Sequence, residues 1–329
     1  MSLFGSLFSG VSALNAQSQA MSMIADNISN VNTIGYKAST ARFETLVTSS
    51  ASDTTFTPGG VRARTLALVD QQGLVQASTS STDLAVAGQG FFVVNTLSTG
   101  AGTTLFTRAG SFLPDSLGNL VNSAGFFFQG WRLDAAGRLP GTAGNTTNTT
   151  SFADLASLET VNVNSISGVA AATTEVKLGT PGVIGVGQTD GLSQFDGGFN
   201  VAFVNQNGSE VGELNGISIN DQGFVIATFS NGQTQKVFKV PVATFADVSK
   251  LDARNGNVFA QTESSGQFNL REAGKGGAGL IAPSALESAN VDLDTEFTNM
   301  IITQRAFSAR SKVITTVDNM LDKLIRIKR

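Results

Sequence analysis

The stretch SLFGSLFSGVSALNAQSQAMSMIADNISNV, residues 2–31, decides how the rest of the chain is read. Leu7, Leu14, Met21 and Ile28 recur at intervals of seven residues, and Phe4, Val11 and Ala25 fill the other seam positions, with only Ser18 breaking the pattern. This spacing predicts a helix from about Ser2 to Val31, roughly 45 Å long at about 1.5 Å per residue. Asp26 is its only charge. A helix without a charged face needs protein contact on most sides, more than one partner helix supplies. Each Leu, Ile, Met or Phe it buries contributes roughly 1.5–3 kcal/mol. The expectation is burial between molecules, with ordering of the helix on assembly.

The other end mirrors this pattern. Phe297, Met300, Ile301, Phe307, Ile314, Val317, Leu321 and Leu324 form a second helical stripe. Asp292, Asp294 and Glu296 precede it, and Lys323, Arg326, Lys328 and Arg329 follow, both sets complementing a helix dipole. The acidic cluster also invites a metal reading, but dipole complementarity is the better one.

Between the ends the chain is rich in Gly, Thr, Ser and Phe and reads as β-structure. Hairpin signatures flank Gly88 and Gly90, the Pro114-to-Gly118 turn, Asn220-Asp221-Gln222-Gly223 and Asn231-Gly232. Residues 33–70 lack clear periodicity and read as an extended connector, with 275–287 as its return. The β domain is expected over 71–178 and 192–274. The terminal helical domain takes 1–32 and 288–329. Residues 179–191, with Pro181 and several glycines, read as a turn-dense linker.

Composition excludes much chemistry. The chain of 329 residues has no Cys and no His, which removes thiolate metal sites, disulfides, the cysteine nucleophile, the usual general base and the commonest metal ligand. No paired acids suggest a carboxylate hydrolase, and no catalytic, cofactor or metal residues are expected. Net charge is −4 with no basic patch, so no nucleic-acid partner is expected. The aromatics are 23 Phe with one Trp and one Tyr, a packing vocabulary that argues against a carbohydrate-binding adhesin. No run is long enough to span a membrane. The first basic residue is Lys37, so the basic start of a secretory signal is missing. The glycine run Gly274–Gly279 lacks the Lys-Ser/Thr ending of a phosphate loop and reads as a return loop. Four Asn-X-Thr/Ser triplets, at Asn27, Asn145, Asn148 and Asn207, carry little weight for glycosylation in so Ser/Thr-rich a chain. Ser284-Ala285-Leu286-Glu287 after Pro283 reads as a capping box starting a short helical turn.

Four separated blocks resemble the bacterial flagellar rod and hook proteins: Ala25 through Lys37 (ADNISNVNTIGYK), Thr82 through Phe92 (TDLAVAGQGFF), Phe106 through Phe112 (FTRAGSF), and Ala285 through Leu293 (ALESANVDL) leading into Met300–Phe307 (MIITQRAF). Asn27, Asn30, Gly35 and Tyr36 stand in the first. Gly212–Ile219, Ala227–Gln233 and Lys239–Phe245 are similar to hook proteins in particular, with the distal rod protein as the alternative. The resemblance implies an α+β subunit: long terminal coiled-coil helices enclosing a mainly antiparallel β domain. It implies a homopolymer, a flexible tube carrying torque from motor to filament. Its implied partners are the distal rod, the hook cap, the hook–filament junction proteins, the hook-length protein and the export apparatus. Location in the extracellular hook, after export without signal cleavage, is implied as well. Hook proteins commonly carry an outer β domain inserted in the inner one. Thr173–Leu178 looks like its entry, but little chain remains before Asp190, so that domain is expected to be absent or reduced.

Overall fold

A computed structural model describes residues 3–46, 59–134, 137–143, 145, 150–164 and 213–327. The 179–191 linker lies outside the described residues. Two helices, α1 (Leu3–Ser29) and α2 (Leu293–Ile327), bracket a β body.

α1 is Ser-rich, and its hydroxyls turn back onto their own helix: Ser22 donates to the Ser18 carbonyl at 3.1 Å and Ser29 to Ala25 at 2.8 Å. This satisfies the polar groups without any charged partner. The helix stops two residues before Val31, where the Asn30 side chain takes up the Asp26 carbonyl at 2.9 Å. Gly35 of the first quoted block lies further on, with φ +67°.

α2 starts at Leu293, and residues 288–292 before it are non-helical. Asp292 accepts from the Asp294 and Thr295 amides at 3.0 and 3.2 Å, so one of the acidic residues is an N-cap. The two helices run antiparallel: Asn27 meets Glu296, the Ala13 carbonyl meets Arg310, and Gly10 meets Ile314. Small residues make this approach possible. A Cβ on Gly10 would stand 3.2 Å from the Ile314 side chain, and the buried stripe of α1 is Ala16, Gln17, Ala20, Ile24 and Asn27.

The span expected to be a bare extended connector is extended but paired. Ser39–Thr45 and Val61–Ala67 form an antiparallel hairpin in register Ser39↔Ala67, and both strands lie against α1. The return segment is paired too. Leu280–Pro283 pairs with Leu84–Ala87, and Ala285–Glu287 pairs with Val75–Ala77. In place of the expected helical turn, Ser284 is a single turn residue followed by the strand Ala285–Glu287. Its residues alternate buried, half-buried, buried, so the S-x-x-E pattern reflects sheet periodicity and not a cap.

Among the described residues the body is built on an eleven-stranded antiparallel sheet. Leu214–Ile219, Phe224–Phe229 and Thr234–Lys239 form a meander through the two predicted turns. Phe112–Pro114 pairs with Leu120–Asn122 across the Pro114–Gly118 turn. The hairpin expected across Gly88 and Gly90 does not form. Leu84–Ala87 joins the distant C-terminal strand, while Phe92–Asn95 pairs with Thr104–Thr107 and Phe127–Arg132. Around Phe92–Asn95, alternate side chains enter opposite cores. Phe92 and Val94 join Phe112, Leu120 and Phe128 on one face, while Phe91 and Val93 join Phe106, Trp131 and Phe259 on the other. Phe112 and Phe128 stack at 4.2 Å between centroids.

Candidate assembly surface and its junction

The helix pair presents one candidate site. Its inner face is closed by Thr303 and Val317 of α2, both buried, with Met300, Ile314 and Leu321 half-buried beside them. Arg310 fixes the register, donating to the Ala13 carbonyl at 3.1 Å and the Gln17 Oε1 at 2.6 Å. The rest of the apolar surface is uncovered. Ile302, Val313 and Met320 are 51–60% exposed and share one stripe of α2 at about 100° per residue. Phe297 and Ile301 form another, with Phe307 on a third line, all at least 40% exposed.

The expected heptad stripe of α1 divides. Leu7, Leu14, Met21 and Ile28 are half-buried at the flank of the pair, while Val11, Ser18 and Ala25 face outward, with Phe8 beside them 62% exposed. The side chains of Phe4 and Leu324 lie outside the described residues. The intrachain contact is thus made by a face of mostly small residues, which heptad reading missed because Ala16, Gln17, Ala20, Ile24 and Asn27 all fall between the seam positions.

The second feature joins helices to body. Glu287, fully buried, accepts from Lys37 Nζ at 2.5 Å and the Gly73 amide at 2.8 Å through Oε1, and from Arg108 Nη1 at 3.2 Å through Oε2. The two cations are shielded as well, with side chains only 1% and 5% exposed. Burial pushes the Lys37 ammonium below its ordinary value and outweighs the pull of Glu287 in the other direction. The Arg108 guanidinium is lowered for the same reason. Arg108 also donates to the Val86 and Gly88 carbonyls and lies 5.2 Å from the Phe91 ring centre, while its Nε has no partner among the described residues. Lys37, Arg108 and Glu287 come from three of the four quoted blocks. Sequence reading missed the cluster because its members lie far apart and Glu287 resembled a cap.

The motif residues surround this cluster. Gly35 donates to the Glu287 carbonyl at 2.7 Å, and a Cβ there would stand 2.6 Å from the Ala109 nitrogen. Asn27 bridges α1, the hairpin and α2: its amide donates to Ser39 O and Glu296 Oε1, and its carbonyl accepts from Ser39 N and the Tyr36 hydroxyl. Tyr36 also donates to Asp26, and burial together with that carboxylate pushes its phenol well above the ordinary range. Asn30 is an exception, bonding locally to Asp26 and Thr33. Asn290 completes the seam, accepting from Ala38 N and donating to the Leu68 and Gln71 carbonyls.

Three family models match the chain. The flagella basal body rod protein model covers residues 7–37, the flagellar hook protein FlgE/F/G D1 domain covers 85–186, and the flagellar basal body rod FlgEFG protein C-terminal model covers 282–327. The flagellar hook protein FlgE of Brucella suis biovar 1 (strain 1330) is 31% identical over 404 residues, spanning the whole of both chains. The chain belongs to the flagellar hook and rod protein family. The hook protein FlgE of Rhizobium meliloti (strain 1021) is 30% identical over 410 residues, again spanning both chains entirely. The basal-body rod protein FlgG of Bacillus subtilis (strain 168) is 29% identical over 337 residues, 98% of this chain and 99% of its own. The two terminal hook and rod models each hold one helix with part of its junction: Lys37 closes the first, and Glu287 lies near the start of the last. Among the described residues no helix is long and apolar enough to cross a membrane, and no His/Cys/Asp/Glu group could hold a metal.

Proposed function

We propose that this protein is a structural subunit of the bacterial flagellar hook, polymerising into a flexible helical tube that transmits motor torque to the filament. The observation that carries this reading is the uncovered apolar surface of α1 and α2. Stripes of bare Phe, Ile, Val and Met on several sides of a helix pair mark a surface that other protein covers. Neighbouring copies supply that cover. Phe4, Leu7, Val11, Leu14, Met21, Ile28, Phe297, Met300, Phe307, Ile314, Leu321 and Leu324 are the proposed assembly residues, packed as coiled coils around a central channel, whereas Val317 is taken up by the contact between α1 and α2 within the chain. Asn27, Gly35 and Tyr36 fix the helices to the body that carries the load.

In this reading residues 1–32 and 288–329 form the inner wall, and 71–178 with 192–274 form the outer wall. The connector takes 33–70 and 275–287. The 179–191 linker lies outermost, at the expected place of an outer-domain insertion. The alignments run over 404 and 410 positions against a chain of 329 residues, so those relatives carry stretches that this chain lacks, which supports a reduced outer domain. Both of these relatives carry hook names and exceed the rod relative in identity, which favours the hook over the distal rod. The partners are further copies of the chain, then the rod, cap, junction and length-control proteins at its borders. The location is the extracellular hook, reached by dedicated export without signal cleavage.

The test is electron microscopy of the purified chain under polymerising conditions. Tubes are the expected product, and discrete particles under all conditions would overturn the reading. Four residues inserted after Gly185 should leave tubes intact, since loop tips tolerate insertion. The same insertion after Leu14 should abolish them by breaking the heptad register.

A further inference from the structure

A cleft of about 680 Å³ separates the end of α1 and its following segment from the turn joining Asp252–Arg254 to Val258–Ala260. Asp26 and Asn30 line one side, and Asn255 and Gly256 the other. The turn holds the two sides together. Asn257 donates its amide to the Ile34 carbonyl at 2.7 Å, and its own carbonyl accepts from Thr107 at 2.8 Å. Gly256 and Asn257 both have left-handed backbones, φ +90° and +57°.

Asn255 and Gly256 are both exposed, and neither the Asn255 side chain nor the Gly256 amide has a hydrogen-bond partner among the described residues. The other described Asn–Gly pairs differ. Gly232 donates its amide to the Phe229 carbonyl at 3.0 Å, and the Asn231 side chain accepts from the Gln233 amide. Asn215 and Gly216 sit in the strand Leu214–Ile219, with Asn215 at a register shift and Gly216 paired with Thr228. Asn207–Gly208 lies outside the described residues.

We propose that Asn255–Gly256 is a site of spontaneous deamidation whose product loosens the tie between β body and connector. The Gly256 nitrogen, losing its proton, attacks Cγ of Asn255. A C–N bond closes a five-membered succinimide, and the side-chain nitrogen leaves as ammonia. Water then opens the ring at either carbonyl, giving aspartate or isoaspartate. One water enters and one ammonia leaves, without oxidant or reductant. Glycine favours the attack because no side chain shields its nitrogen and its backbone rotates freely. Either product places a carboxylate in the cleft that Asp26 also lines. Isoaspartate also lengthens the turn's backbone and displaces Asn257 from Ile34.

The test uses the full chain incubated at mildly alkaline pH and sampled over time by peptide mass spectrometry. A parallel sample is kept unfolded in urea. In the folded chain Asn255 should convert several-fold faster than Asn231, and in urea the two should convert at similar rates. Hydrogen exchange at Thr33–Tyr36 should rise as Asn255 converts and stay constant in aged Asn255→Gln protein, whose longer side chain closes the ring poorly. Conversion at Asn255 no faster than at Asn231 in the folded chain overturns the proposal. So does unchanged exchange near Ile34 after Asn255 is fully converted.

Discussion

The β body and the helix pair use the same residue types and dispose of them in opposite ways. Phe91, Phe92, Phe106, Phe112 and Phe128 are at most 2% exposed, whereas Phe8, Phe297 and Phe307 are 40–62% exposed. The body closes two cores within one chain, around Phe92–Asn95. Among the described residues the helices bury a strip of Ala16, Gln17, Ala20, Ile24, Asn27, Thr303 and Val317 and leave several of their largest side chains outside. A core built from Phe completes a fold, while a contact built from Ala holds two helices just close enough to present a surface. Stability and assembly are therefore separable in this molecule.

The strongest way to break that separation is to put charge on the bare stripes. Ile302→Asp and Val11→Asp should abolish polymers in electron micrographs, because burying an unpaired carboxylate costs several kcal/mol. The single chain should lose no more than about 0.5 kcal/mol in urea denaturation, since both positions are exposed. Leu14→Asp and Ile28→Asp should abolish polymers as well but cost the chain more, being half-buried. Polymers from all four variants would end the distinction.

Next in size comes the junction. Glu287→Ala strands Lys37 and Arg108 in a dry site and should cost about 3–5 kcal/mol in urea denaturation followed by circular dichroism. A loss below about 1 kcal/mol, as for a surface ion pair, would mean that the cluster does not bind the regions together. Gly35→Ala should cost about 2 kcal/mol, combining left-handed strain with the contact to Ala109.

The smallest effect sharpens the view of the body alone. Burial pushes the Glu272 carboxyl up, but hydrogen bonds from Lys239 and Lys275 outweigh it and hold it below its ordinary value of 4.5. A carboxyl lowered in the folded state stabilises it above its unfolded value and loses that contribution as pH falls through the folded one. The thermal midpoint should therefore drop below pH 4.5, with a shallower drop in Glu272→Gln. Identical profiles would remove Glu272 from the account.

The helices and the 214–239 meander were legible in the sequence because their signals are local: a seven-residue repeat and turn residues between short strands. The pairing of Leu84–Ala87 with Leu280–Pro283 was not, since nearly 200 residues separate the strands and Gly88 advertised a nearer partner. The connector hairpin was hidden although Ala41 to Glu44 and Val61 to Arg64 alternate, because the runs are short and their apolar members are small, like Ala63, or exposed, like Phe43. Of the candidate site, the apolar residues were named from their spacing. The inner face of small residues and the Glu287 cluster were not. One falls between the seven-residue seam positions, and the other exists only after three distant segments meet.

The burial of Trp131 has an optical consequence. The only Trp of the chain is fully buried in the body, edge-on to Phe152, and its indole N–H has no hydrogen-bond partner among the described residues. Its fluorescence should be blue-shifted while the body stays closed. The only Tyr, Tyr36, sits at the junction with its hydroxyl on Asp26 and Asn27, and its ultraviolet absorbance follows that contact. One unlabelled sample thus carries a separate spectroscopic channel for each region. Fluorescence that reddens after the tyrosine band has shifted marks a joint that loosens while the wall still stands.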